Sequence, residues 1–69
     1  MADLEGVERV KEAIRGLPPR EREALMMRYF QGFSDREIAE TMGIREVSAR
    51  ALMSRGRKRL QEKLLEGRG

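Results

Sequence analysis

The sequence predicts an all-α fold, a small four-helix domain containing a helix-turn-helix. Three observations lead there. Apolar residues recur at intervals of three and four along most of the chain, the spacing of an amphipathic helix. Start and stop signals at Gly16, Pro19, Gly32, Ser34 and Gly43 divide that pattern into four segments. The stretch from Ser34 to Arg59, SDREIAETMGIREVSARALMSRGRKR, reads as a short helix, a Gly turn and a longer basic helix. With 69 residues the chain makes one domain, 1–69, whose small core needs close packing or a partner. The helices are expected at about 4–16, 19–31, 35–42 and 46–65.

In the first segment Asp3 can cap the helix, with Glu5 and Glu8 near its positive end. Leu4, Val7, Val10, Ile14 and Leu17 share one face, and Gly16 followed by Pro18-Pro19 ends the helix. Its simplest role is packing; binding a partner is the alternative. In the second, Pro19 suits the first turn, where its missing N–H costs nothing. Glu21 and Glu23 follow in the first turns, and Leu25, Met26, Tyr29 and Phe30 form an apolar face with Ala24. Gln31-Gly32 closes it. Tyr29, Phe30 and Phe33 cluster beside this helix end and read as core, with a stacking platform for bases as the alternative.

Ser34 and Glu37 form an S-x-x-E capping box for the third helix, and Phe33 stands where a hydrophobic staple would meet Ile38. Gly43 stops this helix and supplies the turn. The fourth helix starts near Glu46, weakly capped because Arg45 occupies the position of a Ser or Thr. Gly56 in its middle costs about 1 kcal/mol of helix propensity relative to Ala. Leu60, Leu64 and Leu65 continue the apolar stripe beyond it, so Gly56 is expected to admit a neighbouring helix, not to end its own. The tail 66–69 is expected to fray. Leu25, Tyr29, Ile38, Ile44, Met53 and Leu60 are expected to share one core.

Composition excludes several function classes. The chain has no Cys and no His, which removes disulfides, thiolate metal sites and the commonest general base. There is no Gly-rich phosphate loop, no nucleophile beside a base and no ligand cluster, so neither an enzyme nor a cofactor or metal is expected. The carboxylates sit at helix-surface spacing beside Arg or Lys, as i,i+4 pairs do. No apolar run has the length of a membrane span and no signal-peptide pattern opens the chain, so a cytoplasmic protein without a membrane partner is expected. The net charge of +3 is unevenly spread. Residues 1–44 carry seven Lys/Arg against nine Asp/Glu, or −2; residues 45–69 carry eight against three, or +5. A field this one-sided suits a polyanion.

That basic half coincides with the second helix of the helix-turn-helix, the one that enters a DNA major groove. Ile38, Ala39, Met42, Ile44, Ala49, Leu52 and Met53 supply the seam between the two helices. The opposite face carries Arg45, Glu46, Val47, Arg50, Ala51 and Ser54. Arg50 lies at its centre and is long enough for a guanine edge or a phosphate. Ser48 can bond a phosphate or the backbone, and Arg36 is placed to hold a phosphate. Arg55, Arg57, Lys58 and Arg59 cannot all face one groove. Arg55 is assigned to DNA; Arg57, Lys58 and Arg59 are divided between phosphates, solvent and a protein partner.

These residues resemble a known family. Leu17 to Ile44, LPPREREALMMRYFQGFSDREIAETMGI, and Ser54 to Leu60, SRGRKRL, are similar to region four of bacterial RNA polymerase sigma factors, the C-terminal promoter-binding domain, of the extracytoplasmic-function type. The resemblance implies a bundle of four or five helices that binds the minus thirty-five element of promoter DNA and the flap of the polymerase beta subunit. It implies that residues from Arg45 to Arg55 read or clamp DNA and that the first two helices offer polymerase a groove. An anti-sigma factor or an activator is a further partner it allows. The chain departs from the family pattern at Arg45, where Ser is common, and at Leu52, where Arg is usual. Two alternatives stay open: a sigma-like interaction module that binds protein without reading DNA, and the effector domain of LuxR-type response regulators.

Overall fold

A computed structural model describes residues 4–66. The cap expected of Asp3, the side chains of Leu4 and Glu5, and the expected fraying of 67–69 lie outside what is described. Four helices follow in order: α1 (Leu4–Arg15), α2 (Pro19–Gln31), α3 (Asp35–Met42) and α4 (Glu46–Glu66). There is no strand among the described residues. Two ends differ from expectation by one residue. α1 stops at Arg15, because the Gly16 and Leu17 amides turn back to Ala13 and Ile14 at 3.2 and 3.0 Å and tighten the last turn. α4 carries on through Leu65 to Glu66.

The connections follow from local chemistry. Pro19 opens α2 at a position that needs no amide donor. Gly32 closes it in the left-handed region at φ 70°, and the Phe33 amide reaches back to the Met27 carbonyl at 3.0 Å. Ser34 then caps α3 reciprocally. Its hydroxyl accepts from the Glu37 amide at 3.2 Å, and the Glu37 carboxylate accepts from the Ser34 amide at 2.9 Å. Gly43, at φ 69°, makes the turn into α4.

The hydrogen bond from the Ser34 amide, helped by the Ser34 side chain, holds the Glu37 carboxyl below its ordinary value. The folded state therefore releases this proton more readily than the unfolded chain. The resulting stability is fully present above the ordinary Glu range and is lost as pH falls from that range through the lowered folded value. Glu37→Gln keeps the reach but does not titrate. Urea midpoints of the two proteins should differ near neutrality and converge on acidification; a constant difference would remove Glu37 from the pH dependence.

α4 is the hub, since α1, α2 and α3 all pack on it, while α1 and α3 do not meet. Ile14 and Leu17 come in from the α1 end, Ala24 and Leu25 from α2, Ile38 and Ala39 from α3, and Ala49, Leu52, Met53 and Leu60 from α4. Gly56 is buried where α2 crosses: a β-carbon there would stand 3.0 Å from Leu25 Cδ1.

Two members of the expected core stand elsewhere. Tyr29 is 46% exposed and Phe30 40%, so the aromatic pair is surface, and Met26 is exposed beside it. The helical phase explains this. α2 turns Glu21, Ala24 and Leu25 toward α4, and its last turn lies beside a groove that α1 does not fill. Ile44 is only half-buried, packed against the core from the turn, and Phe33 does the same from the α2–α3 connection. Glu21 is the unexpected occupant of the interior at 6% exposure. Its carboxylate lies 2.9 Å from Arg59 Nε, without the angle of a hydrogen bond, so charge and not a directed N–H compensates its burial.

Candidate nucleic-acid interface

The turn at Gly43 and the seam of Ile38, Ala39, Ala49, Leu52 and Met53 fix which side of α4 faces outward. At 100° per residue, burying positions 49, 52, 53, 56 and 60 turns 47, 50, 51 and 54 to the opposite side. Val47, Arg50 and Ser54 are exposed there with Ala51 half-buried among them, while Arg55 is exposed and Glu46 and Ser48 half-buried on the flanks, and Arg45 is exposed just before the helix begins. Val47 is the most open apolar member at 59%. Ala49 and Leu52 belong to the core, so neither is part of the outward face.

The cations are not equally available. Arg36 is exposed on α3 and pairs with Glu40 at 3.3 Å. Arg50 is held twice: its Nη2 donates to Glu46 at 2.5 Å and its Nε lies 3.5 Å from Asp35. Asp35 also accepts a hydrogen bond from Arg28 of α2. Arg59 is tied to Glu21. Arg45, Arg55, Arg57 and Lys58 make no ion pair among the described residues. Arg57 and Lys58 share a hollow of about 450 Å³ with Arg28, Asp35, Arg50 and Ser54. They therefore stand beside Arg50, whereas Arg59 turns toward α2.

Arg28 and Asp35 were not legible as site residues. In sequence Asp35 is only the first residue of α3, and Arg28 only a basic residue in the last turn of α2. Nothing in their spacing says that they meet at Arg50. A second surface lies toward the C-terminal end of α4. Val7 and Val10 of α1, Tyr29 and Phe30 of α2, and Leu60 and Leu64 of α4 line an open, largely apolar groove of about 780 Å³. Lys11 stands over the Phe30 ring, 5.4 Å from its centre.

Among the described residues no group of acidic side chains could hold a metal ion, and no helix is long and apolar enough to cross a membrane. The family model of sigma-70, region 4 matches residues 7–60. The chain is 41% identical over 58 residues to RNA polymerase sigma factor SigZ of Bacillus subtilis (strain 168). That alignment takes in 84% of this chain and 32% of the relative, so the chain spans about a third of that protein's length. No solved structure matches.

Proposed function

The chain belongs to the sigma-70 region 4 family, and from that premise we propose that it binds duplex promoter DNA at the minus thirty-five element and docks on RNA polymerase in the cytoplasm. Membership in this family sets aside the response-regulator alternative. The observation that carries the reading is the outward side of α4, where Val47, Arg50 and Ser54 are exposed opposite a fully packed seam, with exposed Arg45 just before the helix and exposed Arg55 on its flank. The short side chains of Val47, Ala51 and Ser54 let the helix approach base edges, with Arg50 the longest group at the centre. Arg36, Arg55 and the neighbouring Arg57 and Lys58 supply phosphate contacts. Gel shifts on minus thirty-five duplexes, run beside a pull-down with the polymerase beta flap, test both halves at once.

Two results are expected from the DNA half. About four to five phosphate contacts should give a slope of log K against log salt of roughly −0.9 per contact, about −4 in all. A flat response would mean that apolar protein contact, not phosphate, carries the binding. Arg50→Ala should lose about 1–3 kcal/mol of discrimination at one base pair if Arg50 reads guanine, with folding unchanged. Equal weakening on every duplex would reassign it to phosphate, and no change at all would move the recognition face elsewhere.

The groove between α1, α2 and the end of α4 favours a second reading, a module that binds polymerase, an activator or an anti-sigma factor without reading DNA. Its apolar lining fits one face of an amphipathic helix. Capture by the beta flap together with no duplex binding at any salt would select this reading.

A further inference from the structure

Arg50 is the central cation of the outward face, yet it is not free. Its Nε lies 3.5 Å from Asp35 Oδ2, and its Nη2 donates to Glu46 at 2.5 Å. Asp35 is in turn anchored from behind, because its other oxygen accepts from Arg28 of α2. Three helices thus meet at one carboxylate. Arg28 and Asp35 are both about one-third exposed, whereas Arg50 is 60% exposed and reaches out beyond them. Nη1 of Arg50 makes no hydrogen bond among the described residues.

We propose that Asp35 is a positioning residue for Arg50: it holds the guanidinium in one rotamer so that the Nη1 side is presented to the DNA, and so sets sequence discrimination. The inference rests on the DNA-reading role proposed above. A long exposed Arg has many rotamers, and fixing one of them before DNA arrives lowers the ordering cost of a directed base contact. The Asp35 charge has a second effect. It lies beside Arg50, Arg57 and Lys58 and offsets part of their field, which disfavours binding that depends on phosphates alone. Both effects raise specific over sequence-blind binding. Glu46 holds Arg50 as well, but from the same helix, whereas Asp35 ties the guanidinium to α3 and, through Arg28, to α2.

The test uses the 69-residue chain and Asp35→Asn, which keeps the shape and removes the charge. Duplexes retained by the wild-type chain from a random-sequence pool are compared with their scrambled versions at one salt concentration. Asp35→Asn should bind the scrambled duplex more tightly and lose about fivefold or more in the ratio of selected to scrambled affinity. In an Arg50→Ala background the same change should leave that ratio unaltered, because the group being positioned is gone. Relaxation of the Arg50 Nε–H by NMR should show an ordered side chain in the free wild type and a mobile one in Asp35→Asn. A contact that merely staples α3 to its neighbours would lower the melting temperature but move neither readout. An unchanged ratio, or an Arg50 Nε–H already as mobile as that of Arg45, overturns the proposal. A wild-type chain that retains no preferred duplex overturns the DNA reading itself. An ordered Arg50 in that case would make the Asp35 contact a fold contact only.

Discussion

Replacing Ile38 with Ala should destabilise the domain by about 2–5 kcal/mol. Ile38 is fully buried, at 0% exposure, on the single inward face of the eight-residue helix α3. The lost methyl and methylene groups leave a void that Leu25, Met53 and their neighbours, already close-packed, cannot fill without strain. A core drawn from so few residues has little stability to spare. Each kcal/mol is worth about 4–8 °C of melting temperature in a domain this small, so the variant should be largely unfolded at physiological temperature. Far-UV circular dichroism against temperature and urea checks this. An unchanged midpoint would mean that α3 does not pack as described, and the outward face of α4 would have to be redrawn.

Gly56→Val should be the next most damaging change, at about 1–3 kcal/mol. A β-carbon at residue 56 would meet Leu25 Cδ1 at 3.0 Å, Leu25 Cγ at 3.2 Å and Glu21 Cβ at 3.4 Å. Leu25 is fully buried and has nowhere to go. Gly56→Ala sets two effects against each other. It gains about 1 kcal/mol of helix propensity and spends a similar amount on the tight contact, so it should lie close to wild type. Valine adds two further carbons at the same crossing, and its propensity gain over Gly is smaller than that of Ala. Urea midpoints for the pair separate the two effects. Should Val be tolerated as well as Ala, α2 and α4 do not approach at residue 56.

The four-helix architecture was legible because its punctuation is chemical and local. The Ser34–Glu37 box and the left-handed Gly32 and Gly43 each act within a few residues, so sequence spacing alone locates them. The role of Gly56 was legible for a related reason: the apolar stripe resumes at Leu60 after it. The rotation of α2 was not. Leu25, Met26, Met27, Tyr29 and Phe30 surround the helix with apolar groups, and periodicity cannot choose a face when every face is apolar. Leu25 fits against Gly56, which settles the choice, carrying Glu21 inward and leaving Tyr29 and Phe30 at the groove. That depends on a residue 31 positions away. The same limit hid the Glu21–Arg59 pair and the meeting of Arg28, Asp35 and Arg50. Helical phase gave the outward members of α4, whereas the intramolecular partners that restrain them are long-range and carry no spacing signal.

α4 runs unbroken for 21 residues. Arg50 stands near one end, and Leu60 and Leu64, which floor the apolar groove, stand near the other. Ten residues separate Arg50 from Leu60, about 15 Å of axial rise and nearly three turns. Between them the helix is clamped by the buried Met53 and Gly56, so it has no joint. The two surfaces are therefore keyed to one another like the bit and bow of a key: turning one turns the other by the same angle. On the proposed function, a promoter that seats Arg50 also dictates the compass bearing from which polymerase must approach. Play in that approach does not come from α4, which carries members of both surfaces without a break between them.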